Sequence, residues 1–443
     1  MSEANGLATE QALTRIAALN PRLGAFVTVA PKHAREQARH EDAMAALGRP
    51  PGLLAGMVVA IKDIIDVAGL PTGGGSLTRA GVPAAVRDAV VVQRLRAAGA
   101  VVVGKTHTVE YAFGGWGTNI SLGTPRNPWD LVHARAPGGS SSGSGVAVAA
   151  GLVPAALGTD TGGSVRLPAS FCGIVGLKTT SGLLANDGVL PLSPRFDTVG
   201  PMTRTVADAA VMLAALVGED AHRLVGGTAF AADPLAPLLR GVAGLRIGVL
   251  LAPEVPLHPD TSRVFDETQA LLAEHGATLV PVRLPRTLPD YVVALGNIIA
   301  GDGYRLYQHL VHAEPSLIGD PVRRRMLAAG GISAAVMLAE LDRQAADIEA
   351  TRELFGDVDA MLTPATAFPA PRLDDYDEDI SPAVFTRFAN YLGLAAAVLP
   401  MGFSEDAMPV GMQIVVPAFH DLRALRIAAA LERARRVAFG LEF

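Results

Sequence analysis

Two glycine- and serine-rich stretches constrain this chain more than anything else in it. They are Pro137-Gly138-Gly139-Ser140-Ser141-Ser142-Gly143-Ser144 and Gly158-Thr159-Asp160-Thr161-Gly162-Gly163-Ser164, on either side of a nearly uncharged run from Gly145 to Leu157. Glycine lets the backbone take positive φ or approach a ligand without a Cβ clash. A serine after two glycines therefore reads as a turn residue, its hydroxyl and the preceding N–H groups open to a bound molecule. Two such serines in one fold suggest chemistry.

The rest of the chain reads as support. It has 443 residues, of which 50% are hydrophobic and 18% charged, enough apolar material for a large core. No linker interrupts it, so one large domain is expected. A net charge of −6 gives no electrostatic footprint for nucleic acid. The single cysteine, Cys172, excludes an internal disulfide and a cysteine-based zinc site, and the ten histidines show no H-E-x-x-H pattern. Neither metal nor cofactor is expected. The first 14 residues are polar, and the apolar runs 144–157 and 392–401 are too short to span a bilayer. A cytoplasmic protein without membrane contact is the expectation.

Apolar spacing predicts a helix over 7–20, stopped by Asn20-Pro21, and a surface helix over 30–47. Met57 to Ile61 reads as a buried strand delivering Lys62 and Asp63 at its end. A helix over 88–98 and a strand over 100–103 complete a βαβ rhythm, which favours a parallel or mixed sheet. Helices follow at 145–150 and 205–217, the latter N-capped by Thr205. Beyond them come a strand (245–250), a helix (260–274), a strand (277–282), a helical region (288–355), strands at 358–362, 396–399 and 410–416, and a closing helix (421–435).

Two short motifs match and fail on context. Gly99 to Thr106 fits the phosphate-loop pattern G-x-x-x-x-G-K-[ST], but its variable positions are Ala-Val-Val-Val, which is strand sequence. Gly139 to Gly143 fits the nucleophile elbow G-x-S-x-G around Ser141, but residues 129–138 make a poor strand, and no acid singles out His420 as the late histidine. A third reading joins both turns to Lys62. Amide cleavage by a serine needs a base, oxyanion donors and an acid for the leaving amine. A lysine can be that base only when neutral, and burial lowers its pKa. From spacing alone, pairing of Lys62 with Asp63 or Asp66 at the strand end is the plainer reading.

Longer blocks decide between them. Gly158 to Ala169 reads G-T-D-T-G-G-S-V-R-L-P-A, and it is followed by Ser170 to Lys178. With Val59-Ala60-Ile61-Lys62-Asp63, Asp66 to Pro71, Gly123 to Trp129, Val199 to Met202, Thr205 to Asp208 and Pro409 to Gln413, they resemble the amidase signature family. The resemblance covers nearly the whole chain and is weakest over 220–355. It implies an α/β fold, a large mixed twisted sheet covered by helices on both faces, as a single domain over 1–443. Its motifs concentrate in 55–210, and a variable helical region spans about 220–355. It also implies a Ser-cisSer-Lys triad: Lys62 as base, Ser140 as the bridging serine after a cis peptide, and Ser164 as nucleophile. The oxyanion hole would be the backbone N–H groups of Thr161, Gly162, Gly163 and Ser164, with Ser141, Asp160 and Arg166 in support. Arg166 is read as ordering the site or meeting an acidic substrate.

The implied activity is hydrolysis of a carboxamide C–N bond through an acyl-enzyme, on a small-molecule amide. The alternatives are a glutaminase subunit of a tRNA-dependent amidotransferase, and a biuret- or allophanate-type amidohydrolase. A non-catalytic binding protein on the same scaffold conflicts with the presence of all three triad residues. The family admits a homodimer, though no interface is read from the sequence. Phe113, Trp116 and Tyr111 are candidate pocket residues, together with the helices of 288–355. Cys172, His107 and His133 are read as structural.

Overall fold

Alternating residues of the short apolar runs face opposite sides, and both sides are covered. Val59, Ile61, Ala155 and Leu157 join one hydrophobic core, whereas Val58, Ala60 and Ala156 join a second on the other face. That is the period-two pattern of a strand buried on both sides. Each such fully buried Val, Ile or Leu contributes roughly 1.5–3 kcal/mol. The computed structural model describes residues 4–435 and 437–441.

Eleven strands form one sheet: β1 (Phe26–Val29), β2 (Val58–Lys62), β3 (Val101–Thr106), β4 (Ala155–Asp160), β5 (Val175–Lys178), β6 (Thr198–Thr203), β7 (Arg246–Leu250), β8 (Thr278–Val282), β9 (Ala360–Pro364), β10 (Ala395–Phe403) and β11 (Pro409–Val416). Their order is β1-β3-β2-β4-β6-β5-β10-β11-β9-β7-β8. Six neighbouring pairs are antiparallel. Four are parallel: β2 with β3 and β4, and β7 with β8 and β9. The sheet is therefore mixed, as expected. Helices Val90–Ala97, Val206–Val217, Leu288–Val311 and Asp421–Ala434 supply residues to the first core, and Ala4–Leu23, Pro31–Ala46 and Ser142–Ala149 to the second.

The structure departs from the sequence reading in two places that matter. The first helix does not stop at Asn20-Pro21 but runs to Leu23. Pro21 sits in its last turn, and Asn20 exchanges side-chain hydrogen bonds with the backbone of Phe26 (2.7 and 3.1 Å). Strands β1, β4, β5 and β6 were not expected. The short helices Arg166–Cys172, Gly227–Ala232 and Arg387–Tyr391 were not expected either; elsewhere the boundaries move by a few residues, and Thr205 Oγ1 accepts from Asp208 N at 3.1 Å as the predicted N-cap. Among the described residues no helix is long and apolar enough to cross a membrane, and no group of three or more His, Cys, Asp or Glu is placed to hold a metal ion.

Candidate active site

Strands β2 and β4 are parallel neighbours, with Ile61 opposite Leu157, so their C-terminal ends fall on one edge of the sheet. Ligands in open α/β sheets gather at that edge. Lys62 ends β2 and Asp160 ends β4. The turn after β4 carries Ser164 into helix Arg166–Cys172, and the first glycine–serine stretch carries Ser140 to the start of helix Ser142–Ala149. Two turns far apart in sequence thus converge on one lysine.

Lys62 is fully buried. Its Nζ donates to Ser140 Oγ at 2.7 Å and to Thr159 Oγ1 at 2.8 Å. Neither partner is charged. Burial pulls its pKa down to about 7, against the smaller upward pull of Asp197 and Asp160. Asp63 instead pairs with Lys105 at 3.0 Å, so the strand-end pairing of Lys62 with Asp63 is not what forms.

The Gly139–Ser140 peptide is cis. The turn around it is tied on both sides. Gly139 N donates to Gly115 O at 2.7 Å, and Ser140 O accepts from Val109 N and Thr108 Oγ1, both at 3.1 Å. Only glycine fits at 139, since a Cβ there would lie 2.6 Å from Gly117 N. Ser141 N donates to Ser164 O at 3.2 Å, which locks one turn onto the other. Ser141 Oγ bridges the backbone of Thr159, accepting from its N and donating to its O, each at 3.2 Å. This buried serine is a brace between turn and strand, not the exposed tip that an elbow nucleophile requires.

Asp160 shapes the second turn. Its Oδ1 accepts from Gly163 N at 2.8 Å and its Oδ2 from Val165 N at 3.1 Å. Arg166 meets the same carboxylate through Nη2 (2.9 Å) and Nε (3.0 Å), and its remaining donors reach Gln413, Asn390 and the carbonyl of Thr386. Burial alone would push the Asp160 carboxyl up, but the Arg166 guanidinium overrides it and holds it well below the usual range. Every polar end of Arg166 is therefore occupied inside the protein, which favours the ordering role over contact with a substrate. The Gly163 N–H is likewise committed to Asp160, so of the four expected oxyanion donors it is not free. Gly163 has φ +132°, and a Cβ there would lie 2.3 Å from Thr386 Oγ1.

Ser164 is 8% exposed, and that opening faces a cavity of about 310 Å³ which Thr161 and Gly162 also line. Phe113 and Trp116 line it as expected, but Tyr111 does not. Tyr111 packs on Tyr307 with ring centroids 4.3 Å apart, and its hydroxyl bonds Thr78 Oγ1. The helices of 288–355 contribute Val292, Asn297, Ile299 and Arg325. Cys172 is buried, burial raises its thiol pKa, and its Sγ donates to Pro137 O. His107 is buried outside the cavity lining, His133 is exposed beside Asp130, and His420 lies just before the last helix. The phosphate-loop match is strand β3, buried at every position.

Several residues of the site escaped the sequence reading. Thr159 was visible inside the Gly158–Ser164 motif, but its contact with Lys62 was not. Asp197 accepts from Thr161 Oγ1 at 2.5 Å and from the N–H groups of Leu192 and Ser193 (2.9 and 3.0 Å). Burial raises its pKa to about 6. Asn390, Gln413 and Arg387 come from 220 residues or more further along the chain, and no local pattern announces them.

Comparison with known proteins shows the family of the chain. The family model described as Amidase matches residues 8–425. The chain is 38% identical over 464 residues to a glutamyl-tRNA(Gln) amidotransferase subunit of Symbiobacterium thermophilum, covering 96% of this chain and 92% of that one. It is also 38% identical over 431 residues to a 2-amino-5-chloromuconic acid deaminase of Comamonas testosteroni, covering 94% and 89%. Among solved structures, the native peptide amidase of Stenotrophomonas maltophilia superposes with a TM-score of 0.82 at 31% identity, over 98% of this chain and 94% of that one. The chain belongs to the amidase family. It is an amidohydrolase, acting on the C–N bond of amides.

Proposed function

We propose that Ser164 is the nucleophile of this amidase, that Lys62 is its base, and that Ser140 relays the proton between them. The observation that carries this reading is the buried Lys62 Nζ, 2.7 Å from Ser140 Oγ and, among the described residues, in no ion pair with a carboxylate. A lysine held near neutrality at pH 7 can accept a proton, whereas a salt-bridged one cannot. Ser164 Oγ gives its proton to Ser140 Oγ as the Ser140 proton passes to Nζ, and Oγ bonds to the amide carbon. The resulting oxyanion lies against the N–H groups of Thr161, Gly162 and Ser164. The proton returns through Ser140 to the amine nitrogen as the C–N bond breaks. Water then attacks the acyl-enzyme by the same relay, releasing the carboxylic acid. Asp160 and Arg166 hold the turn, and Ser141 braces it.

Ammonia release from a panel of primary amides (aliphatic, aromatic, biuret-like, and glutamine) tests this. The reading predicts turnover of at least one, abolished in Ser164→Ala. Undiminished turnover in that variant overturns it.

A second reading is favoured by the relatives named as glutamyl-tRNA(Gln) amidotransferase subunits. Here the chain would hydrolyse glutamine as one component of an assembly, in the cytoplasm. Glutamine turnover that appears only with a copurifying protein selects it. Turnover of small amides by the chain alone selects the stand-alone amidase.

A further inference from the structure

The proposed reaction leaves one charged side chain of the cavity without a task. Arg387 begins the short helix Arg387–Tyr391 and lines the same cavity as Gly162 and Ser164. A Cβ built on Gly162 would lie 3.6 Å from Arg387 Cγ, so the stem passes over the turn that leads to Ser164. The guanidinium then reaches helix Leu288–Val311. There its Nη1 donates to Val292 O, and a Cβ on Gly296 would lie 2.9 Å from Nη1. The bare backbone at Gly296 makes room for the charge.

The other charges of the cavity are matched. Arg325 pairs with Glu378 at 2.5 Å, and Asp379 pairs with Arg324 at 3.1 Å. Glu378 also accepts from Thr118 and Tyr376. Behind the wall, Asp160 is held by Arg166, and Asp197 by Thr161 and two backbone N–H groups. Among the described residues no carboxylate forms an ion pair with Arg387. Burial, and secondly the charge of Arg325, pulls its guanidinium down to about 10, the direction expected of a cation short of a partner. A guanidinium is a planar fork suited to a bidentate carboxylate, and Arg387 is half-buried and lines the cavity. Phe113, Leu192 and Ile299 give the cavity apolar walls between.

We propose that Arg387 is the anchor for a carboxylate on the substrate, so that the site takes small amides which also carry a carboxylate. Half-amides of short dicarboxylic acids and amino acids with a side-chain amide are such compounds. This inference rests on the reading of Ser164 as the nucleophile and names the substrate class of that site. The methylene stem of such a compound would lie along the apolar walls, its carboxylate on Arg387 and its amide carbon at Ser164.

The test pairs each acid with its neutral counterpart: malonamate, succinamate, glutaramate and glutamine against the corresponding diamides, in the wild type and in Arg387→Gln. The preference for acid over diamide, as a ratio of kcat/KM, should fall by about 10- to 100-fold in Arg387→Gln, the range of a charge-assisted bond, and by less in Arg387→Lys. A second readout needs no turnover. The dicarboxylate products should slow labelling of wild-type Ser164 by a fluorophosphonate, and should fail to do so in Arg387→Gln. An unchanged ratio, equal protection of both proteins, or a wild-type preference for the diamides overturns the proposal. If Ser164 is neither labelled nor needed for ammonia release, the nucleophile reading falls instead. Calorimetry of glutarate with wild type and Arg387→Gln then decides Arg387 alone: binding lost in the variant upholds the anchor, and equal or absent binding overturns it.

Discussion

Lys62 and Lys105 lie near the C-terminal ends of neighbouring parallel strands, with Ile61 opposite Lys105 in register. Both are fully buried. Their surroundings differ in one respect. Lys105 reaches the Asp63 carboxylate at 3.0 Å, Thr72 Oγ1 at 3.1 Å and Pro71 O at 3.3 Å, whereas Lys62 reaches two hydroxyls. Burial pulls both ammonium groups down; the adjacent Asp63 opposes this at Lys105 without cancelling it, and Lys62 settles at about 7. The same residue type at the same depth thus becomes a structural ion pair on one strand and a candidate base on the next. The contacting partner decides the role, not the burial.

The sharpest way to break this contrast is to remove each lysine. Lys62→Met should cost at least about 10³-fold in kcat while leaving a folded protein, as should Ser164→Ala, since members of one proton relay each cost nearly the whole advantage. Lys105→Met leaves the Asp63 carboxylate buried without its cation. Its dominant effect should be on stability, about 3–5 kcal/mol by denaturant unfolding, with the folded fraction still active. If Lys62→Met loses stability and keeps its rate, or Lys105→Met does the reverse, the two roles are exchanged.

Next in size is the pH dependence. Lys62 must be neutral to act, so kcat/KM should rise with pH through about 7, the value to which burial brings it. The stability effect has its own sign. The folded pKa lies below the unfolded one of about 10.4, so the folded state is penalised for binding this proton. Stability from this group should therefore fall as pH drops from about 10 towards 7, and change no further below that. Titrating wild type against Lys62→Met isolates the difference. The smallest effect concerns Asp197, whose charge favours protonated Lys62. Asp197→Asn should move the rising limb of the rate profile to lower pH, and a limb that stays in place removes Asp197 from the electrostatics of the site.

The elements of the molecule were unequally legible in the sequence. β2 announced itself because five apolar residues in a row precede Lys62. β4 did not, because its sequence, Ala-Ala-Leu-Gly-Thr-Asp, has weak strand propensity and is set by pairing with β2 and β6. The seven-residue helix Arg166–Cys172 holds Pro168 inside and ends at left-handed Gly173, too short for any periodic signal. The turn residues were readable from their glycines and from the family resemblance. The network behind them was not. Asn390, in the helix before β10, and Gln413, on β11, reach Asp160 and Arg166 because β10 folds back beside β5 and β11 beside β10, a consequence of sheet order that no local pattern encodes. The cavity shows the same split. Phe113 and Trp116 were anticipated, but the wall at 378–387, which brings Arg387, was not.

The central claim is that Lys62 serves as a neutral base for Ser164 through Ser140. Its most direct test is the rate of fluorophosphonate labelling of Ser164 as a function of pH, in wild type and in Lys62→Met. The account predicts a wild-type rate that rises through about pH 7 and a slow, pH-independent rate in the variant. A wild-type rate without that limb, or a variant that labels as fast as wild type, would contradict it.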